Sequence, residues 1–190
     1  MDRRIKYTKN IIKENFLTLL EKKDITAITV KELCEICDIN RGTFYRYYMD
    51  IYDLLGQIKQ EFIDEIINCH SIQKIEEHSI YSFTKGILSI FEENKKLVRI
   101  LFNTDQNIYF LNEVLEVAYD KCMNRWASIH PNIEEEELEN AVVFIFNGAL
   151  GVINYWIQND FSSSADDIAK YIEKYCQQGA RIYLPVEKQF

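Results

Sequence analysis

The sequence predicts an all-α protein of about nine helices, with a small N-terminal helical domain before a larger helical bundle. The 190 residues include only two prolines and six glycines, the two residue types least favourable inside helices. Apolar side chains recur at helical spacing along most of the chain, and 47% of residues are hydrophobic, enough for a core. We place the first domain at residues 1–50 and the second at 51–190, with helix 51–69 connecting them.

Residues 29–55 predict two short helices, a tight turn between them and a third helix after them. Thr29 caps the first helix in this interpretation, with Glu32 as its capping-box partner. Asp38 tolerates the left-handed backbone that a tight turn requires, and Asn40 suits the cap of the second helix. The inward side of the pair is then formed by Val30, Leu33, Cys34, Cys37, Ile39, Phe44 and Tyr48.

Two helices joined by such a turn form a helix-turn-helix, whose second helix fits the major groove of DNA. We expect the start of the first helix to lie near a phosphate and the second helix to present its exposed side to the bases. The predicted DNA-binding residues are Thr29, Lys31, Asn40, Arg41, Gly42, Thr43, Tyr45, Arg46 and Tyr47.

The sequence resembles the helix-turn-helix of the TetR/AcrR family of bacterial repressors in three runs: Thr29-Val30 to Leu33-Cys34, Ile39 to Tyr45, and Tyr-Asp-Leu-Leu at 52–55. The resemblance covers roughly the first 55 residues. Asp38 stands where the family usually has glycine, Tyr47 where histidine is common, and Ile51 where a phosphate-binding lysine is frequent. The last difference removes a contact to the DNA backbone, so we expect DNA binding with weaker non-specific affinity.

The net charge of −8 is unevenly distributed. Residues 1–50 contain ten basic and eight acidic side chains, and the remaining 140 residues have a net charge of −10. The predicted DNA-binding end is therefore the less acidic one, as phosphate binding requires. Five cysteines without framework spacing and the lack of a signal or membrane-spanning pattern predict a cytoplasmic protein that does not enter a membrane.

The remaining elements follow from apolar stripes, caps and breaks. A first helix ends near Lys23, and the basic residues at its start either contact DNA or form a solvated terminus. Asp50 caps the connecting helix, and Ser164 or a nearby serine caps the last one, which extends to about Tyr183. Between these lie helices at 80–94, 95–104, 106–129 and from about 134 to 159.

The sequence offers little support for catalysis, a metal or a cofactor. Cys34 and Cys37 have redox or zinc spacing, but both fall on the inward side of a short helix and lack a second ligand pair. The three histidines are scattered, and neither a phosphate loop nor a nucleophile elbow is present. We therefore predict that the protein is not an enzyme and has no cofactor.

The family resemblance implies that the second domain encloses a pocket for a small apolar or aromatic effector. The candidate lining residues are aromatic, with one amide: Phe83, Phe91, Phe102, Phe110, Tyr119, Trp126, Asn147 and Trp156. The alternative is that most of these aromatic side chains are core.

A homodimer is expected because one short recognition helix reads too few base pairs, so such proteins bind two half-sites of a palindromic operator. Segment 138–157 is apolar on more sides than one domain can cover, and the family resemblance implies a four-helix interface. The candidates are Phe144, Ile145, Gly148, Val152, Tyr155, Tyr171, Ile172, Tyr175 and Gly179. The alternative is that they are core residues of one domain.

The leading prediction is a dimeric repressor that binds a double-stranded DNA operator and is released from it by a small-molecule effector. The alternative is an adaptor of the same fold that acts through a protein partner. The isoleucine at position 51, where the family often has a phosphate-binding lysine, and the acidic total charge favour that alternative.

Overall fold

The computed structural model describes residues 3–69, 80–102, 119, 123, 124, 126–128 and 131–180, and every regular element within these ranges is helical. The all-α prediction is confirmed. A single 3-10 turn, Ile25–Ala27, precedes the second helix. The α-helices are α1 Arg3–Leu20, α2 Val30–Ile36, α3 Arg41–Tyr45, α4 Ile51–Ile67, α5 Ile80–Glu93, α6 Lys95–Phe102, α7 Glu135–Gln158 and α8 Ala165–Ala180.

The chain divides into two compact units, Met1–Asp64 and Glu65–Phe190. The division falls inside α4 and not at its start, so most of the connecting helix belongs to the first unit. The reason is that Leu54, Ile58 and Phe62 on α4 are buried in the core of that unit.

The core of the first unit draws one apolar stripe from each helix. Ile12 and Phe16 of α1, Leu33 of α2, and Phe44 of α3 have no solvent exposure. Such burial contributes about 1.5–3 kcal/mol for each large apolar side chain. Helix α1 ends at Leu20 and not near Lys23, but a further turn continues to Lys23, whose N–H donates to the carbonyl of Leu19.

The connections in this unit have the predicted chemistry. Asp38 has a φ of 52°, which confirms the left-handed turn without glycine. The Asp53 N–H donates to the Asp50 carboxylate at 2.8 Å, which confirms Asp50 as the cap of α4. The turn at Asp38 therefore fixes the orientation of α2 relative to α3, and α4 begins shortly after α3.

In the second unit α5 packs against α8, and α6 packs between α5 and α7. Phe91 and Phe102 meet edge to face with ring centroids 5.9 Å apart. The α5 and α6 boundaries agree with the predicted helices to within two residues. The predicted helix 106–129 lies mostly outside the described residues, although Tyr119, Met123, Asn124 and residues 126–128 are helical.

A polar cluster joins α5 to α8 at one side of this core. The Asp166 carboxylate accepts hydrogen bonds from Tyr81 at 2.5 Å and from Lys85 at 2.6 Å, and Lys170 lies 2.5 Å from its other oxygen. Hydrogen bonds from Lys170, Lys85 and Tyr81 hold the pKa of Asp166 well below its usual range. Next to it, the Asp167 N–H donates to Ser164 Oγ at 3.1 Å, which confirms the Ser164 cap.

The connection from α7 to α8 has an unusual backbone. Asp160 and Phe161 have φ values of 58° and 56°, in the left-handed region that bulky residues rarely adopt. The Phe161 ring is buried 4.8 Å from the Trp156 ring, and the side-chain cations of Lys95 and Arg99 lie over it. Packing of this ring therefore holds the turn in its strained conformation.

Helix α7 is mostly exposed along its apolar length. Among the described residues it is the one helix long and apolar enough to cross a membrane by length and composition alone. Its first turn is acidic, with Glu135, Glu136 and Glu137, as suits the positive end of a helix dipole.

Candidate nucleic-acid interface

Helix α2 begins at a side-chain cap. The N–H of Glu32 donates to Thr29 Oγ1 at 3.2 Å, so the predicted cap is confirmed. The sequence also predicts that Glu32 completes a capping box, but both of its carboxylate oxygens instead accept hydrogen bonds from Lys23 Nζ, at 2.7 and 2.5 Å. This ion pair ties the start of α2 to the turn that follows α1.

Helix α3 has only five residues and depends on its first and last turns. Asn40 Oδ1 accepts from the Thr43 N–H at 2.8 Å and from the Thr43 hydroxyl at 3.1 Å, which confirms the predicted cap. Beyond the helix, the N–H groups of Tyr47 and Tyr48 both donate to the Phe44 carbonyl. The helical turn therefore continues through Tyr48.

The inner side of α3 is anchored by aromatic packing. The rings of Phe44 and Tyr48 lie 5.5 Å apart, and both residues are buried. Lys9 Nζ lies 5.5 Å from the centre of the Tyr48 ring. Burial raises the pKa of Tyr48 to about 12, with the carboxylates of Glu61 and Asp53 adding to the effect, so its hydroxyl is neutral at physiological pH. This anchoring determines which side of α3 faces outward.

The outer side carries the predicted DNA-binding residues. Arg41, Gly42, Tyr45 and Arg46 are exposed, and the spacing i, i+1, i+4 and i+5 places them on one side of the helix. Two guanidinium groups and a phenol are thus presented together on a surface opposite the buried rings.

The other five predicted positions have different environments. Thr29 and Lys31 are exposed at the start of α2. Lys31 lies 3.9 Å from Glu35, and such an exposed ion pair costs little to break. Thr43 and Tyr47 are half-buried, and the Thr43 hydroxyl already bonds to the Asn40 cap. The structure therefore gives Asn40 and Thr43 a capping role that does not depend on DNA.

Gly42 stands beside the same cap. A Cβ atom built at this position would lie 3.3 Å from Asn40 Oδ1, a distance at which the cap would have to move. Glycine therefore protects the cap, and the absence of a side chain lets another molecule approach the α3 backbone.

Two side chains of α4 that bond to the segment after α3 are functional candidates that sequence patterns did not predict. Asp53 accepts from the Met49 N–H at 2.7 Å, and Gln57 Nε2 lies 3.3 Å from the Tyr47 carbonyl. The only advance signal was the i, i+4 spacing of Asp53 and Gln57. Ile51, at the position where the resembled family often has lysine, is buried and directs no group to the surface.

Cys34 and Cys37 are buried where α2 meets its neighbours. Burial raises the pKa of both thiols, that of Cys37 to about 11, so neither is a ready thiolate. The Cys37 thiol lies 3.8 Å from the Ile11 carbonyl. The interpretation as small packing residues is confirmed. No cluster of potential metal ligands occurs among the described residues.

The predicted effector-pocket residues do not share one environment. Phe91, Phe102 and Trp156 are buried core residues, and the Trp156 indole N–H donates to the Ser163 carbonyl at 2.8 Å. Asn147 is exposed on α7 and its side-chain amide donates to the Val143 carbonyl, so its place in a pocket stays a prediction. Phe83, Tyr119 and Trp126 are half-buried, and Phe110 lies outside the described residues.

Most of the predicted dimer residues lie on the solvent side of α7 and α8. Phe144 is 79% exposed and Tyr155 71%, and Tyr171 and Tyr175 are also exposed. Ile145 and Val152 are half-buried. Around Gly148 there is open space at the position of a Cβ atom. Ile172 is buried within the protomer, only 3% exposed, so its place in the interface stays a prediction, and the side-chain position of Gly179 lies outside the described residues.

Comparison with known proteins supports the family resemblance seen in the sequence. A family model described as "Transcriptional regulator C-terminal region", of the TetR type, matches residues 78–178. The chain belongs to the TetR family of transcriptional regulators. The matched segment lies within the second unit, so the assignment is independent of the helix-turn-helix on which the sequence resemblance rested.

Individual relatives of this TetR-family chain are distant. It is 24% identical over 172 residues to the uncharacterized HTH-type transcriptional regulator YxbF of Bacillus subtilis (strain 168). That match covers 88% of the chain but spans only 44% of the relative.

Solved structures share the fold at low identity. The dihydroxyacetone kinase operon activator DhaS has a TM-score of 0.68 at 20% identity, with coverage of 92% of this chain and 97% of its own. The fatty acid degradation regulator FadR from Bacillus halodurans has a TM-score of 0.64 at 15% identity, with coverage of 92% and 96%. A TetR transcriptional regulator from Streptococcus agalactiae 2603V gives 0.62 at 21%, with the same coverage as FadR.

The Asn40 cap can be tested by two substitutions with opposite expectations. Asn40→Ala removes the acceptor for Thr43 and is expected to destabilise the protein by about 1 kcal/mol in urea unfolding. Asn40→Asp keeps an acceptor at the same place and is expected to retain wild-type stability. Equal stability of Asn40→Ala and the wild type would contradict the capping role.

Proposed function

We propose that this TetR-family protein is a repressor that binds a palindromic DNA operator as a homodimer and leaves it when a small apolar or aromatic effector binds. The observation that carries the DNA-binding part is the two-sided construction of α3. Phe44 and Tyr48 fix one side in the core, and Arg41, Tyr45 and Arg46 stand exposed on the other.

The exposed groups suit different parts of a DNA duplex. A guanidinium forks onto guanine O6 and N7 or onto a phosphate, so Arg41 and Arg46 are the proposed sources of base or backbone contact. Lys31 and the Thr29 hydroxyl at the start of α2 suit a phosphate, as does the Tyr47 hydroxyl. Ile51 is buried and Asp50 caps α4, so neither residue offers a cation to a phosphate at the start of α4.

Arginine substitutions combined with a salt titration test the DNA-binding proposal. With promoter fragments flanking the gene, wild-type affinity is expected to fall steeply as salt rises. Arg41→Ala and Arg46→Ala should each weaken binding by about 1–3 kcal/mol where the arginine contacts a base. Where it contacts a phosphate, the plot of log affinity against log salt should become less steep, its negative slope decreasing in magnitude by about 0.9.

Lys174→Ala, which removes an exposed lysine of α8, is the charge-matched control and should bind like the wild type. If both arginine variants bind DNA with wild-type affinity, the outer side of α3 is not the DNA-binding surface. Failure of the wild type to bind any promoter fragment would favour the adaptor alternative, in which a protein partner replaces DNA. The buried isoleucine at position 51 is the observation that favours that alternative.

The effector part of the proposal is supported by family membership and by half-buried aromatic side chains in the second unit, namely Phe83, Tyr119 and Trp126. A ligand changes operator affinity only if it binds one arrangement of the protein better than another. An aromatic or apolar compound that raises the melting temperature should therefore also weaken operator binding in a gel-shift titration. If a compound binds tightly and leaves operator affinity unchanged, its binding is not coupled to operator binding.

The dimer part is supported by the exposed apolar surface of α7 and α8. Phe144, Tyr155, Tyr171 and Tyr175 are large side chains that solvent contacts in a single protomer, and contiguous exposed apolar surface of this kind is typical of an interface. Gly148 and Gly151 have open space beside them, so a second backbone could approach α7 closely.

Gly148→Glu tests this surface. Because nothing lies within 4 Å of the added Cβ, the protomer should fold normally, while a two-fold interface would meet the new charge twice. Sedimentation is expected to show folded monomers with lost operator affinity. Gly56→Glu is the matched control, since Gly56 on α4 also has open space, and it should remain dimeric. A dimeric, DNA-binding Gly148→Glu protein would place the interface elsewhere.

A further inference from the structure

The segment between α3 and α4 is held by side chains of α4 at two points of its backbone. Gln57 Nε2 donates to the Tyr47 carbonyl at 3.3 Å. Two residues later, the Met49 N–H donates to Asp53 Oδ2 at 2.7 Å. One acceptor and one donor of the segment are thus both bonded to a helix that begins immediately after it.

The two side chains also bond to each other. Gln57 Nε2 lies 3.3 and 3.2 Å from the two carboxylate oxygens of Asp53, one helical turn away. The Asp53 N–H in turn donates to Asp50. Since Gln57 faces a carboxylate and a carbonyl, both of which only accept, its NH2 group must be the end that points toward them. A carboxylate or an apolar group at position 57 cannot make these bonds.

We propose that Gln57 is a positioning residue for DNA recognition, which with Asp53 holds the end of α3 to α4 and so sets the direction of the Tyr47 side chain. This inference rests on the proposed DNA-binding function. Gln57 is half-buried and does not itself belong to the outward side of α3. Gln57 acts on the backbone of Tyr47, which is adjacent in sequence to the exposed Arg46. A small shift of this backbone would therefore move the side chains of Tyr47 and Arg46 relative to a DNA duplex.

The chain offers a matched control for the hydrogen-bond chemistry. Gln60, also on α4, donates to Asp64 at 3.0 Å with the same i, i+4 spacing. Both Gln60 and Asp64 are exposed, and Gln60 is not among the side chains bonded to the segment after α3. Gln60→Leu therefore removes a comparable bond within α4 and leaves the Tyr47 and Met49 bonds in place.

The experiment compares Gln57→Leu and Gln60→Leu in the full-length protein, under conditions in which circular dichroism shows both to be folded. Gln57→Leu should bind the operator about tenfold more weakly, as expected for the loss of one or two net hydrogen bonds. Gln60→Leu should stay within about twofold of the wild type. Gln57→Glu, which keeps the size of the side chain but places a second carboxylate beside Asp53, should weaken binding at least as much as Gln57→Leu.

A double-mutant cycle with Tyr47→Phe separates positioning from general destabilisation. If Gln57 acts through Tyr47, removal of the Tyr47 hydroxyl should cost clearly less affinity in the Gln57→Leu background than in the wild type. The proposal would be overturned if the two substitutions reduced operator affinity additively. It would also be overturned if Gln57→Leu bound the operator with wild-type affinity.

Hydrogen exchange of the Met49 amide gives a measurement without DNA. Gln57→Leu is expected to lower protection of this amide severalfold, because Asp53 loses its partner, and Gln60→Leu should leave it unchanged. Unchanged protection in Gln57→Leu would overturn the positioning role even if the protein binds DNA. Lost protection in a protein that binds no promoter fragment would instead contradict the proposed function alone.

Discussion

A helix of five residues has too few internal hydrogen bonds to persist in water, so α3 exists because its surroundings hold it. Burial of Phe44 holds the inner side, the Asn40 cap holds the start, and the Tyr47 and Met49 contacts to α4 hold the end. The proposed DNA contacts of Arg41, Arg46 and Tyr47 depend on this support. An arginine on a mobile segment would lose much of its binding energy to ordering, whereas an arginine on a supported helix begins close to the required orientation.

Local chemistry explains which features could be predicted from the sequence. Caps and tight turns are determined by a few adjacent residues, so Thr29, Asn40, Asp38 and Asp50 were correctly assigned. The Glu32 capping box was wrong in its second half because Lys23, nine residues away, competes for the carboxylate. Gln57 was missed because its partner is a backbone carbonyl ten residues away, and side-chain patterns do not encode such a bond.

The second unit was less predictable because aromatic side chains serve cores and pockets equally well. Composition could not show that Phe91 and Phe102 pack against each other, or that the Trp156 indole is satisfied by a carbonyl. The sequence did predict that α7 is apolar around most of its circumference. Which sides of it are covered depends on its packing against α6 and α8, and this leaves Asn147 on the surface. On α8, Ile172 is buried in the core.

The strained turn at Asp160 and Phe161 has a consequence for the exposed surface of α7 and α8. Two consecutive left-handed residues cost of order 1–3 kcal/mol each, and they persist because the Phe161 ring is locked between Trp156 and two cationic side chains. The turn between α7 and α8 is therefore stabilised by side-chain packing as well as by its backbone. Because this packing already exists in a single protomer, a molecule that docks on the exposed tyrosines of the two helices would not have to order this turn, and the associated conformational entropy cost would be small.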